Sequence, residues 1–319
     1  MAVYTDVGFD DLKVVLADYD VGIPQSFKGI AEGIENSNFL LQTERGKYIL
    51  TLYEKRVDSA DLPFFLGLLE YLSGRGIACP LPVRSRDGRQ SIRVKGRRAA
   101  LLTFLDGLSL DQPRVEHCAA AGAALADLHN AARGFPVARK NNFSLEGWQR
   151  IADAIIARAD RVQDGLAVLI ETTLASLDAD WPMDLPIGII HADLFPDNVL
   201  FLRDRVSGLI DFYFACTDLL AYDVAVMLNA WCFDPGACFN RARAQSLIAA
   251  YEKTRTLTQR EISALPVLAR GAALRFLLTR LQDWIDRDPA ARVPAKDPLE
   301  FASRLRFHAN IDTPAEYGL

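Results

Sequence analysis

With 319 residues, 50% of them hydrophobic and 24% charged, the chain has an ordinary globular balance and enough length for two domains with a sizeable core. A net charge of -5 and a pI near 5.5 exclude the concentrated basic surface of a nucleic-acid binder. No uninterrupted apolar run has the length of a membrane span, and residues 1–6 carry acid rather than the basic region of a signal peptide. A cytoplasmic protein without nucleic-acid or membrane partners is expected; nothing in the sequence sets its oligomeric state. The five cysteines (Cys79, Cys118, Cys216, Cys232, Cys238) form no C-x-x-C pair, which suits reduced, buried thiols better than a disulfide framework or zinc site.

In chain order, residues 9–19 show helical periodicity, with Leu12, Val15 and Leu16 on one side. Two strand-like runs follow, 38–42 and 48–53, joined by Glu44-Arg45-Gly46-Lys47 as a hairpin. Ahead of them, Gly29-Ile30-Ala31-Glu32-Gly33-Ile34-Glu35-Asn36-Ser37-Asn38 places two glycines and small polar residues between strand-like flanks. Such a loop can present backbone N–H groups to phosphates, although two glycines near a turn ordinarily mark only a turn. A helix at 62–73 is apolar on nearly every side and should pack between other elements. Residues 81–83 and 98–102 read as strands, and the basic stretch 84–98 between them as an exposed, solvated hairpin. Thr103-Phe104-Leu105-Asp106-Gly107 ends the β-rich part. From Val115 the pattern is almost wholly helical, with helices expected at about 119–132, 144–160, 163–177, 219–231, 241–253, 258–286 and 297–307. His129, on an Ala-rich scaffold helix, reads as a structural hydrogen-bonding residue.

Between those helices lies the segment that carries chemistry. Three apolar runs, 187–190, 199–202 and 208–210, read as short buried strands, and the loops after the first and third hold His191-Ala192-Asp193-Leu194-Phe195-Pro196-Asp197-Asn198 and Asp211-Phe212. Taken singly, Asp, Asn and Pro are turn residues and a lone His is ordinarily a satisfied core residue. Together they give H-x-D-x-x-x-x-N followed by a strand ending in Asp, the arrangement phosphoryl transfer requires. That reaction needs the attacking hydroxyl oriented and the phosphate charge neutralised, with little covalent help. Asp193 would orient or deprotonate the hydroxyl. Asn198 and Asp211 are hard oxygen ligands suited to Mg2+, an ion that keeps several waters and is commonly bridged by substrate phosphates.

A β-rich lobe, a hinge and a mainly helical lobe bearing these motifs resemble the α+β, protein-kinase-like two-lobed fold, with a small N-terminal antiparallel-sheet lobe at 1–102, a hinge at 103–107 and a larger helical lobe at 108–319. The catalytic loop and the Ile210-Asp211-aromatic segment are similar to the aminoglycoside phosphotransferase and choline kinase branch. Segments 28–39, 49–56, 61–65 and 305–308 narrow the resemblance to the bacterial homoserine kinases related to aminoglycoside kinases.

The resemblance implies transfer of the ATP γ-phosphate to the side-chain hydroxyl of L-homoserine, giving O-phospho-L-homoserine for threonine synthesis. It implies Asp193 as the catalytic Asp, His191 bracing the loop, and Asn198 and Asp211 as Mg2+ ligands. Gly33, Glu35, Asn36, Ser37 and Thr51 would face the nucleotide, with Phe104 and Leu105 at the adenine-binding hinge. Asp223 would cap a helix or tie it to the catalytic loop. One departure stands out: Thr51 occupies the strand position where kinases carry a phosphate-binding Lys, and the helix that should supply its Glu partner is apolar around 64–69. Either Lys55 or Arg56 reaches back, or loop amides and Mg2+ carry more of the charge.

Homoserine is a small zwitterion, so its site should offer a cation to its carboxylate and an acceptor to its ammonium. Arg275 and Arg280 on the 258–286 helix are candidates, because guanidinium binds carboxylate bidentately, and Trp231 and Trp284 could close the pocket. The C-terminal stretch mixes arginines with aspartates rather than forming the strongly acidic cleft a polycationic aminoglycoside would want. Another small-molecule kinase of the branch, acting on choline, methylthioribose or an aminoglycoside, and a non-catalytic nucleotide-binding relative remain the alternatives.

Overall fold

The structure is a computed structural model that describes residues 5–30, 36–54, 58, 60–287 and 295–319. Its contacts divide the chain into two compact units, Met1–Asp106 with Gly208–Tyr213, and Gly107–Ser207 with Phe214–Leu319.

The first unit grows from alternation of apolar and polar residues along its strands. Helix α1 (Phe9–Ala17) precedes β1 (Pro24–Ile30), β2 (Asn36–Thr43) and β3 (Gly46–Tyr53), then α2 (Leu62–Ser73), β4 (Ile92–Val94) and β5 (Arg97–Thr103). The strands form one antiparallel sheet in the order β1-β2-β3-β5-β4. Phe39, Leu41, Leu50, Leu52, Ala99 and Leu101 bury one face against Leu12, Val15 and Tyr19 of α1 and its exit. Thr43 pairs with Gly46, so the expected hairpin turns on Glu44 and Arg45. Helix α2 buries residues all round its surface, as its composition requires. Two expectations differ from what is found. Residues 81–83 form only a single bridge, Pro82 to Leu102, because proline has no N–H to continue a ladder. Strand β1 was not legible on its own, since it has no fully buried residue and includes Pro24 and Gly29.

In the second unit, α3 (Val115–Ala131), α4 (Leu145–Ala159) and α5 (Leu166–Asp180) precede a short-strand region of β6 (Ile187–Ile190), β7 (Val199–Leu202), β8 (Arg205–Leu209, whose last two residues belong to the first unit) and β9 (Cys216–Leu219). Then come α6 (Leu220–Trp231), the small hairpin β10 (Phe233–Asp234) and β11 (Cys238–Phe239), α7 (Arg241–Glu252), α8 (Gln259–Ile285) and α9 (Leu299–Ala309). Helices α3 and α7 approach closely at Gly122, where an added Cβ would run into the Leu247 carbonyl. Strand β6 pairs antiparallel with β9, which the sequence reading missed because it is four residues long and half-buried. By length and composition alone α8, at 27 residues, could cross a membrane, yet 67% of its apolar window is buried inside the protein and it carries the buried Arg275. All five cysteines are free and four are buried.

Candidate active site

The candidate catalytic loop begins where β6 ends. Ile189 and Ile190 are buried, and the chain passes through His191, fully buried, to Ala192 with a φ of 64°. An L-residue in this left-handed region is strained by roughly 1–2 kcal/mol, so something must hold it there. Two buried charges do. Asp223, in the first turn of α6, accepts the His191 N–H at 2.7 Å and the Ala192 N–H at 2.8 Å, and the Arg275 guanidinium of α8 donates to the Ala192 carbonyl. Both backbone polar groups of the strained residue are thereby satisfied by charged partners.

Burial pushes the Asp223 carboxyl up, but the hydrogen bond and charge of His129, the His191 ring and its backbone N–H outweigh it, and the net direction is below the usual carboxylate range. His129 Nε2 lies 3.2 Å from Asp223 while its Nδ1 lies 2.8 Å from the Tyr251 hydroxyl. Arg255 then donates to that hydroxyl at 2.9 Å and to Glu261 at 2.6 Å, and Glu261 caps α8 by accepting the Thr258 N–H. One continuous buried network so joins α3, α6, α7 and α8 to the loop, and His129 is structural as expected.

Beyond Ala192, each residue of the loop is fixed by the next. The Asp193 N–H donates to His191 Nδ1 at 3.3 Å, which is how His191 braces the turn. Trp231 donates its indole N–H to the Leu194 carbonyl at 2.8 Å, and the Phe195 ring sits edge-on to Phe276 with centroids 4.8 Å apart. Pro196 opens a 3-10 turn that ends on Asn198. Asn198 Nδ2 donates to the Asp193 carbonyl at 2.8 Å and to its carboxylate at 3.2 Å. The amide nitrogen of Asn198 is thus committed to Asp193, which leaves the amide oxygen as the side chain's acceptor for any further partner. No cluster of three or more His, Cys, Asp or Glu side chains stands ready for a metal among the described residues. An Asn and an Asp oxygen with water and phosphate completing the shell fit Mg2+, which seldom has an all-protein cage.

In the first unit, Asp211 follows β8 with a φ of 63°, a conformation Asp tolerates better than most residues. The Leu209 N–H donates to the Ala78 carbonyl at 2.8 Å and anchors the approach to it. Of the residues assigned to the nucleotide, Gly33 and Glu35 lie outside the described residues, as do Lys55 and Arg56. Asn36 and Ser37 are buried at the start of β2. Asn36 accepts the Glu54 N–H at 3.4 Å, and Ser37 donates to the Glu54 carboxylate at 2.7 Å, so both side chains tie β2 to the end of β3. Thr51 is buried and donates to Asn38 Oδ1 at 2.8 Å. The Phe104 N–H donates to the Lys47 carbonyl at 3.2 Å, and Leu105 covers Gly208.

The residues assigned to the acceptor divide. Arg275 and Trp231 are buried beneath the loop, bonded to its carbonyls, and Arg275 lies against the rings of Phe143, Phe214 and Phe276. They position the loop. Arg280 pairs with Glu300 of α9, which also pairs with the buried Arg304, and both guanidinium groups stack on Phe301 at 4.4 and 4.5 Å. The sequence reading missed Glu300 and Arg304, although two arginines and a glutamate at helical spacing in 300–306 gave a signal. Trp284 stacks with Arg287. A cavity of about 610 Å³ opens elsewhere, lined by His129, Arg255, Thr258 and Glu261 among others, and none of the assigned site residues lines it.

These features have close counterparts in known proteins. Residues 26–257 match the model of the phosphotransferase enzyme family. The homoserine kinase of Rhizobium meliloti (strain 1021) is 56% identical over 319 residues, covering 100% of this chain and 98% of that protein. The homoserine kinase of Xanthobacter autotrophicus is likewise 56% identical, over 100% of this chain and 99% of the relative. Among solved structures, an amicoumacin kinase in complex with AMP-PNP and Ca2+ superposes with a TM-score of 0.73 at 15% identity, over 96% of this chain and 95% of that one. The fold is therefore the protein-kinase-like one, with a small antiparallel-sheet lobe and a larger mainly helical lobe. The chain belongs to the phosphotransferase enzyme family, whose kinases use ATP as phosphoryl donor, and it is a kinase whose full-length relatives are homoserine kinases.

Proposed function

We propose that the protein phosphorylates the side-chain hydroxyl of L-homoserine with ATP, giving O-phospho-L-homoserine and ADP for threonine synthesis. The observation that carries the acceptor is the 56% identity with homoserine kinases along the whole chain. Asp193 takes the hydroxyl proton as the new O–P bond forms, while the bond between the γ-phosphorus and the β–γ bridging oxygen breaks and its electron pair leaves with ADP. Asn198 supports this role by holding the Asp193 carboxylate and backbone together. Asn198 and Asp211 are the residues that would hold Mg2+, and the ion would offset charge on the phosphates.

The acceptor's charges match the Arg280, Glu300 and Arg304 group, which shares the aromatic layer of Phe301 and Phe276 with Phe195 of the catalytic loop. One carboxylate between two guanidinium groups leaves a net positive charge for the amino acid's carboxylate and an acceptor for its ammonium. Nucleotide contact is assigned to the loop containing Gly33 and Glu35, to Asn36, Ser37 and Thr51, and to the hinge at Phe104 and Leu105. The five free thiols suit a reducing cytoplasm. A coupled ADP-release assay with L-homoserine, choline, methylthioribose and an aminoglycoside is the test. Turnover is expected with homoserine; turnover only with another acceptor would overturn the assignment.

A further inference from the structure

Helix α6 ends against the group assigned to the acceptor, and its last turn is held from two directions. Asn229 lies in that turn, fully buried, and a carbonyl so close to a helix C-terminus has no intrahelical N–H to accept from. The Arg304 guanidinium of α9 takes that place, donating to the Asn229 carbonyl at 2.7 Å, where the helix dipole also favours a cation. Through its other terminal nitrogen Arg304 holds Glu300, which Arg280 holds in turn. Burial disfavours the Arg304 charge, so the guanidinium depends on these partners to stay where it is. The group stands next to the candidate catalytic loop: Lys296, just before α9, pairs with Asp197 of that loop at 3.2 Å.

The side chain of Asn229 is fixed separately. Its Nδ2 donates to the Ala225 and Ala269 carbonyls, both at 3.0 Å. Both partners are acceptors, which settles the orientation of the amide and leaves Oδ1 as the atom that meets His308 Nε2 at 3.2 Å. His308 therefore carries its proton on Nε2, and its Nδ1 accepts from the Tyr317 hydroxyl at 2.8 Å. His308 and Tyr317 are fully buried, and burial, followed by the charges of Arg304 and Arg270, keeps the imidazole neutral, so one tautomer serves both bonds. Tyr317 ends the 3-10 turn Pro314–Tyr317, which α7 ties down: Arg241 donates to the Ala315 carbonyl and Gln245 to the Gly318 carbonyl, each at 2.9 Å. Hydrogen bonds thus join Tyr317 to His308 and His308 to the Asn229 side chain, and the carbonyl of the same Asn229 joins Arg304.

We propose that Tyr317 and His308 are positioning residues for acceptor binding: they fix Asn229, whose carbonyl holds one nitrogen of Arg304 so that the other keeps Glu300 in the orientation that receives the acceptor's ammonium. Affinity for a zwitterionic acceptor accordingly depends on a hydroxyl that never touches it. The inference rests on the assignment of Arg280, Glu300 and Arg304 to the acceptor.

The test is steady-state kinetics of the full-length protein, with L-homoserine and ATP each varied at saturating levels of the other, alongside thermal denaturation. Tyr317→Phe removes the hydroxyl at nearly constant shape and leaves the buried Nδ1 of His308 unpaired. It is expected to raise KM for homoserine roughly three- to tenfold, the effect of one net hydrogen bond, with kcat and KM for ATP little changed. His308→Gln, which can still accept from Tyr317 and donate to Asn229, should raise that KM less than His308→Leu, which can do neither. Glu300→Gln separates the two levels of the inference. If its KM for homoserine equals that of the wild type, the acceptor assignment fails and the proposal with it. If Glu300→Gln raises that KM while Tyr317→Phe keeps the wild-type value and merely melts earlier, or raises both KM values alike, the turn at 314–317 is ordinary packing and the proposal is overturned. No homoserine turnover by the wild type overturns the proposed function and this inference together.

Discussion

Two short segments of this protein share a backbone problem and solve it differently. Ala192 in the catalytic loop has a φ of 64° and Asp211 after β8 has a φ of 63°, both in a region that non-glycine residues avoid. Around Ala192 the solution is charge: Asp223 holds the N–H groups, Arg275 holds the carbonyl, and His129 relays the load to Tyr251, Arg255 and Glu261. Around Asp211 the described restraints are a backbone hydrogen bond from Leu209 and the packing of Tyr213 against Tyr53, ring edge to ring and hydroxyl to hydroxyl. The difference follows from what each segment must do. A loop proposed to present a base needs one geometry, and buried charges hydrogen-bonded to its backbone enforce it by making every alternative leave a charge unsatisfied. Asp211, proposed as a metal ligand, lies in a segment restrained through its backbone and through the Tyr213 ring, contacts that do not use its carboxylate.

The largest effects should come from the charged side. Asp193→Ala is expected to lower kcat by about 10²–10⁴-fold, the usual range for losing a general base, with KM for ATP little changed. Comparable ADP release by wild type and variant would remove the mechanism. Asp223→Ala strips the acceptor from two buried N–H groups and leaves His129 without its carboxylate partner, so a loss of roughly 3–5 kcal/mol in unfolding free energy is expected. Denaturant titration measures it; a loss under 1 kcal/mol would mean that Asp223 does not hold the loop.

How legible this was in the sequence depends on the kind of feature. The helices from α2 to α9 were readable because 3.6-residue periodicity persists over three or more turns, and the loop after β6 stood out because its residue types and spacing match those that phosphoryl transfer needs. Strands β1, β9, β10 and β11 were not, since short or edge strands are fixed by partners far along the chain rather than by their own pattern. Arg275 shows the same limit within the site. As an arginine on an apolar helix it looked like a ligand for a carboxylate, but only the fold brings it within reach of Ala192, 83 residues away. Asp223 left a better trace, a lone acid in the otherwise apolar start of α6, Leu220-Ala221-Tyr222-Asp223-Val224, which signals a buried partner.

Acid should discriminate the two anchoring schemes. His308 is fully buried between Asn229 of α6 and the Tyr317 hydroxyl, and burial first, then the charges of Arg304 and Arg270, lower its pKa to about 3. An unfolded His titrates near 6.5, so below that pH the unfolded chain binds a proton that the folded one refuses. Stability contributed by the neutral ring is present above pH 6.5 and is lost progressively down to pH 3, by roughly 2 kcal/mol between pH 6.5 and 5. Asp223, whose folded pKa is depressed, contributes stability above about pH 4 that is lost only as pH falls through its lowered value. The second unit should therefore weaken in two stages, His308 before Asp223, while the hydroxyls around Tyr213 do not titrate in that range at all. In His308→Gln, which keeps a donor and an acceptor, the slope of unfolding free energy between pH 6.5 and 5 should flatten; an unchanged slope would assign it to other groups.

The smallest effect is the most diagnostic of strain. Replacing an ordinary Ala by Gly costs about 0.5–1 kcal/mol, because the unfolded chain gains freedom that folding must remove. At Ala192 the same replacement also releases the roughly 1–2 kcal/mol that a Cβ imposes in the left-handed region. The two oppose each other, so Ala192→Gly is expected to leave stability within about 1 kcal/mol of the wild type and on the favourable side. Catalysis should respond in the other direction. A glycine can leave the left-handed conformation freely, and only Asp223 and Arg275 would then keep Asp193 aimed, so kcat should fall by a few-fold while the melting temperature holds or rises. If the charged network alone determines the loop, kcat will not move; if stability falls as it does for an ordinary Ala→Gly replacement, Ala192 is not strained and the comparison with Asp211 loses its basis.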